Sequence, residues 1–139
     1  MKVICVNSFT KNGGGGNPAG VAILESRETD SRMQHIAKAV GYSETVFIIE
    51  GNDGYNFRFF TPTSEVDLCG HATIAALSVL NSKTSITVNT KAGKVKTYKD
   101  GDQYNMTQVS PIFGEVLGSS IIADLLNISK TCIINKSGM

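Results

Sequence analysis

Residues Gly70 to Leu80 read GHATIAALSVL, and Ala72, Ile74, Ala75, Ala76, Leu77, Val79 and Leu80 fall on nearly every side of a helix drawn through them. Such a helix has no face to offer water, so other elements must cover it all round. A chain of 139 residues points to one domain with a full hydrophobic core. The segment therefore predicts a buried central helix, and the remaining residues must supply its wrapping.

Most of that wrapping reads as strand. Val3 to Ser8 is rich in β-branched residues, and Gly20 to Leu24 and Thr45 to Ile49 are short apolar runs. Tyr55 to Phe60 alternates, with Tyr55, Phe57 and Phe59 on one side and Asn56 and Arg58 on the other, and Pro62 closes it. Ser85 to Thr90, Lys94 to Lys99 and Gln103 to Val109 follow, joined by turns at Ala92-Gly93 and Asp100-Gly101. Asn52-Asp53-Gly54 is a hairpin-type turn, and the glycine-rich stretch from Lys11 to Gly20 reads as a loop. A second helix starts from a cap at Thr29 or Asp30, carries Met33, Ile36, Ala37 and Val40 as an apolar stripe, and stops at Gly41. A last helix is expected from Glu115 to Leu126. There is no internal repeat and no linker. The fold class is α+β, with a mixed or mostly antiparallel sheet curled around the central helix.

Composition narrows the function classes. Net charge is +1, with 18% charged residues scattered in sign and 41% hydrophobic residues, so the basic stripe that nucleic acid requires is absent. Cys5, Cys69 and Cys132 lie far apart with no C-x-x-C, which fits reduced thiols in the cytosol better than a disulfide framework or a zinc site. The opening residues are too short an apolar run for a signal peptide, and no run approaches the ~18 residues of a membrane span. The expectation is a cytoplasmic protein with neither nucleic-acid nor membrane partners.

Chemistry concentrates at the front of the central helix. Its first turn, Gly70-His71-Ala72-Thr73, follows Cys69 with no Asp or Asn cap. Free first-turn N–H groups at the positive end of a helix, with glycine admitting close approach and an imidazole beside them, suit a carboxylate or phosphate. The alternative is a helix start capped by Cys69 or water, with His71 structural. Cys69 is either a thiol activated by the helix end and His71 or a small buried residue. A metal is not expected, because the other histidine, His35, sits on a solvated helix side. Gly14-Gly15-Gly16-Asn17-Pro18-Ala19 fits a relaxed G-x-G-x-x-A pattern, but GVAILES after it is strand-like, which argues against a dinucleotide site. Glu44, at the mouth of the apolar strand TVFII, is either a general acid/base or an ordinary strand-end charge.

Taken in order, VNSFT, GGNPAGVAIL, MQHIAKAVGYSETVFI and FRFFTPTSEVDLCGHATIAAL resemble the N-terminal half of the phenazine-biosynthesis isomerase-like (PhzF-like) family over about residues 1 to 110. The resemblance implies a diaminopimelate-epimerase fold, in which two similar lobes, each a sheet curled around a helix, enclose the active site. It implies a cofactor-independent isomerase that moves a proton on a small carboxylate-bearing substrate. By matching positions, Glu44 would be the acid/base, Gly70 and His71 would hold substrate at the helix start, Asn17 would lie near the cleft, and Cys69 would be a bystander. Residues 1 to 139 would correspond to one lobe, with the second absent. The missing wall would come from a separately encoded lobe or from a second copy in a homodimer; otherwise the chain is an inactive half or a single-lobe interaction module.

Overall fold

The computed structural model describes residues 1–52, 54–82 and 84–108. The expected helix from Glu115 to Leu126, Val109 and the central turn residue Asp53 lie outside the described residues. Among the described residues eight strands and two helices form in the order β1 (Val3–Ser8), β2 (Asn17–Leu24), α1 (Asp30–Val40), β3 (Glu44–Gly51), β4 (Gly54–Phe60), β5 (Glu65–Val66), α2 (Gly70–Leu80), β6 (Ile86–Thr90), β7 (Gly93–Asp100) and β8 (Gln103–Met106).

All the strands join one sheet in the order β1-β2-β3-β4-β6-β7-β8, with β5 paired beside β4. The β2–β3 and β4–β6 pairs are parallel and the others antiparallel. Each parallel pair needs a crossover, and the two helices supply them. α1 lies between β2 and β3, and α2 between β4 and β6.

Strand alternation sorts the core into two layers. Ala19, Val21, Val46, Ile48, Phe57 and Phe59 face α2 and pack with Ala72, Ala75 and Ala76. Ala22, Leu24, Phe47 and Phe60 point the opposite way, against Met33 and Ala37 of α1. α2 packs against β1, β2, β3 and β8. Because β1 and β8 are the two ends of the strand order, the sheet must curl to bring both onto one helix. Inside the curl Ala72, Thr73, Ala75, Ala76 and Leu77 are buried, while Ile74, Val79 and Leu80 are half-buried and Ser78 is exposed, so the expected all-round cover is reached on one side of the helix.

α1 forms as its sequence predicts. Thr29 Oγ1 accepts from the Arg32 amide at 3.3 Å, and Gly41 closes the helix in the left-handed conformation at φ 74°. Arg58 then staples this layer. Its Nε and Nη2 donate to the two Glu65 oxygens, both at 2.7 Å, and its Nη1 donates to Asp30 Oδ1 at 2.7 Å. Burial pushes the Glu65 carboxyl up, but Arg58 and Lys91 together hold it below the ordinary range.

Two expectations are corrected, and one strand was not expected. β2 begins at Asn17 rather than Gly20, since Ser8 and Asn7 of β1 pair with Asn17 and Pro18; proline, lacking an N–H, is tolerated at a strand start. The glycine-rich stretch includes an ordered turn, with Lys11 and Gly14 exchanging backbone hydrogen bonds at 3.0 Å across Asn12 and Gly13, both at positive φ. That is the twist which a β-hairpin favours. β5 has only two residues, too few for any periodic signal.

Candidate functional site

The parallel β2–β3 pair and the start of α2 bring the singled-out residues together. Glu44 is the first residue of β3, in register with Ala19 of β2. By alternation it points to the same side as Val46 and Ile48, toward α2. There its Oε2 lies 3.4 Å from Nε2 of His71, with the two side chains 20% and 11% exposed. This separation makes an electrostatic contact rather than a formed hydrogen bond. Ser43 Oγ lies 3.5 Å from the same nitrogen.

Cys69 completes the group. Its Sγ lies 3.3 Å from His71 Nδ1. Burial pushes the Cys69 thiol up and the Glu44 charge adds to the shift, against a smaller opposing pull from the Ala72 and His71 amides. The thiol is therefore protonated at neutral pH. Which of Sγ and Nδ1 donates depends on the imidazole tautomer. An activated nucleophile would need the opposite shift.

The backbone at this corner is fixed from both sides. Thr73 donates to the Cys69 carbonyl from Oγ1 at 2.7 Å and from its amide at 3.0 Å. Buried Ser8 Oγ donates to the His71 carbonyl at 2.7 Å. The N-cap itself is open: Cys69 makes no side-chain capping hydrogen bond, and the first turn holds no acidic residue.

Gly70 has no internal reason to be glycine. Its φ is not positive, and an added Cβ would meet only Gln108 Nε2, at 3.9 Å. Asn17 is reached through Ser8, its register partner on β1. It is exposed at the Glu44 end of β2, and among the described residues no side-chain hydrogen bond links it to Glu44 or His71. Gly16 fixes the approach to Asn17, since a Cβ there would sit 2.5 Å from the Ser8 carbonyl oxygen, at φ +86°.

Two concavities, of about 450 and 510 Å³, lie elsewhere on the surface. One is formed around Ile4, Ile23 and Glu25 and the other around Arg58, Asn89 and Lys91. Neither is lined by Glu44, Cys69 or His71. Sequence reasoning set Cys69 aside and did not single out Ser8 or Ser43. The spacing of SET and LCGH gives no sign that these segments meet. No helix among the described residues is long and apolar enough to cross a membrane.

Comparison with known proteins points to one family. A family model described as "Phenazine biosynthesis-like protein" matches residues 6–133. An "uncharacterized isomerase" of Halalkalibacterium halodurans is 41% identical over 106 residues, covering 72% of this chain and 40% of that relative. The crystal structure of the Bacillus anthracis phenazine biosynthesis protein of the PhzF family matches with a TM-score of 0.78 at 30% identity, covering 94% of this chain and 49% of that one. A predicted epimerase from Pseudomonas aeruginosa matches with a TM-score of 0.77 at 19% identity, covering 93% and 51%, and shows the shared fold alone. The chain spans less than half the length of the curated relatives it matches.

Proposed function

The chain belongs to the PhzF-like family of phenazine biosynthesis-like proteins, and on that premise we propose that it forms one wall of the cleft of a cofactor-independent isomerase. The substrate is a small molecule bearing a carboxylate. Its carboxylate accepts hydrogen bonds from the free amides at the start of α2, where the helix dipole favours negative charge, and Gly70 lets it approach. Asn17 contributes an amide from the rim.

Glu44 then moves the proton. Its carboxylate takes a proton from a carbon near the bound acid group, and the resulting carboxyl returns it at a second carbon. One group thus serves as base and then as acid. His71 Nε2–H stabilises the carboxylate form, and its 3.4 Å separation leaves room for the contact to tighten once substrate excludes water. The opposite wall comes from a second lobe or a second copy of the chain.

The observation that carries this reading is the meeting of the Glu44 carboxylate with His71 at an uncapped helix start. The test is wash-in of solvent deuterium into a panel of unsaturated and hydroxy acids, run alongside light scattering to give the assembly state. Glu44→Gln is expected to slow wash-in by about 10²–10⁴-fold with Tm unchanged. Wash-in by this variant at the wild-type rate would overturn the assignment.

A further inference from the structure

Glu44, Cys69 and His71 each offer one ligand atom, and the three atoms lie within 4.8 Å of one another. A thiolate, an imidazole and a carboxylate are the donors that zinc takes, whereas magnesium and calcium prefer oxygen throughout. We propose that this corner binds one Zn²⁺ and that zinc capture reversibly switches off proton transfer at Glu44. The inhibitory part rests on the isomerase reading above; the metal site does not.

The spacing is close to what the ion needs. Tetrahedral zinc with bonds of about 2.0–2.3 Å holds its ligand atoms roughly 3.3–3.7 Å apart. Cys69 Sγ is already 3.3 Å from Nδ1, and Glu44 Oε2 is 3.4 Å from Nε2. These are the two nitrogens of one ring, so the ion takes one of them, and side-chain rotation of Glu44 or of the imidazole brings in the third ligand. Three protein ligands leave a fourth position for water, as in open zinc sites.

The supporting shell is in place. The Cys69 and His71 carbonyls are pinned by Thr73 and by Ser8, so two of the ligands come from one rigid helix start and the third from a strand end. The side chains of His71 and Glu44 are 11% and 20% exposed, and Cys69 is half-buried, which shields the site yet keeps it reachable. On binding, the thiol proton leaves to solvent, and one thiolate with one carboxylate neutralises the ion. The positive end of α2 opposes a cation, but it also favours the thiolate that zinc requires. With Glu44 coordinated, its carboxylate is no longer available as a base.

The metal arm of the test uses the full chain alone. Zn²⁺ is titrated against a chromogenic chelator, and Co²⁺ is added separately to look for a sulfur-to-cobalt charge-transfer band. One equivalent should bind, with Mg²⁺ and Ca²⁺ failing to compete. Cys69→Ala, with Cys69→Ser as a second variant, should abolish the band and weaken zinc by at least about tenfold, while Cys5→Ala and Cys132→Ala change neither. Absence of a stoichiometric site, or a band that survives in both Cys69 variants, overturns the proposal. Deuterium wash-in, with one equivalent of zinc and then excess chelator, should stop and recover. Zinc that binds at this site yet leaves an active wild-type chain unaffected overturns the inhibitory part. A wild-type chain that light scattering shows to be a dimer and that still gives no wash-in counts against the isomerase reading, while the metal arm is decided by the chelator and cobalt data.

Discussion

The two helices of this domain have the same length, 11 residues each, and opposite designs. α1 is finished at both ends: Thr29 caps its first turn, Asp30 sits at the positive end and is tied to Arg58, and Lys38 lies near the negative end. α2 has none of these devices, with no side-chain cap, no acid in its first turn and no base in its last. One helix lies across a sheet face and uses local chemistry to stay folded. The other is held mainly by its surroundings; its C-terminus still closes at Asn81 in the left-handed conformation, but its N-terminus is left without a cap. A buried helix whose N-terminus lacks a cap has amides left over, and here they open beside Glu44 and His71.

If α2 is held by its surroundings and α1 by its own chemistry, a charge placed on each should behave very differently. Ala76 is fully buried in the layer around α2, while Ala39 of α1 is exposed. Ala76→Asp should cost roughly 3 kcal/mol or more, because it buries an unpaired carboxylate, and Ala39→Asp should cost only about 1 kcal/mol, from helix propensity and the nearby helix C-terminus. Urea denaturation of the two variants checks this, and similar midpoints would break the contrast.

A smaller effect addresses the caps. Thr29→Ala should destabilise by about 1 kcal/mol through loss of its capping bond. Cys69→Asn adds a cap where none exists and should raise stability by up to about 1 kcal/mol, while weakening binding of a carboxylate ligand that competes for the same amides. Thermal melts with and without ligand separate the two effects. A Cys69→Asn chain that binds ligand as tightly as wild type would show that the α2 amides are not the cradle.

The smallest effect concerns Gly70. Since a Cβ there meets nothing closer than 3.9 Å, Gly70→Ala should stabilise the helix by up to about 0.5–1 kcal/mol and still reduce affinity for the carboxylate. Stabilisation with undiminished binding would place the ligand elsewhere.

The same contrast explains what could be read from sequence. The α2 boundaries, Gly70 to Leu80, were legible because every apolar residue in that stretch makes the same demand. The α1 cap and stop were legible because Thr29 and Gly41 are local signals. The start of β2 was not, because Asn17 and Pro18 have loop chemistry and become strand only through pairing with Asn7 and Ser8. The assembly of Glu44, Cys69 and His71 was also hidden from periodicity. It depends on a parallel register between β2 and β3 and on the curl of the sheet over α2, both long-range outcomes. The resemblance to PhzF-like proteins named Glu44, Gly70, His71 and Asn17, but it left Cys69 out of the group in which the structure places it.

The curl of the sheet has a consequence for how the chain is made. α2 leaves the ribosome before β6, β7 and β8 do, and the Met106 side chain that helps close its layer emerges later still. At synthesis rates of about 5–20 residues per second, the wait between Leu80 and Met106 is on the order of seconds. Throughout that interval an all-round apolar helix stands half-wrapped by β1 to β5. Nascent chains that stall in this window present the surface that chaperones hold and that aggregates recruit.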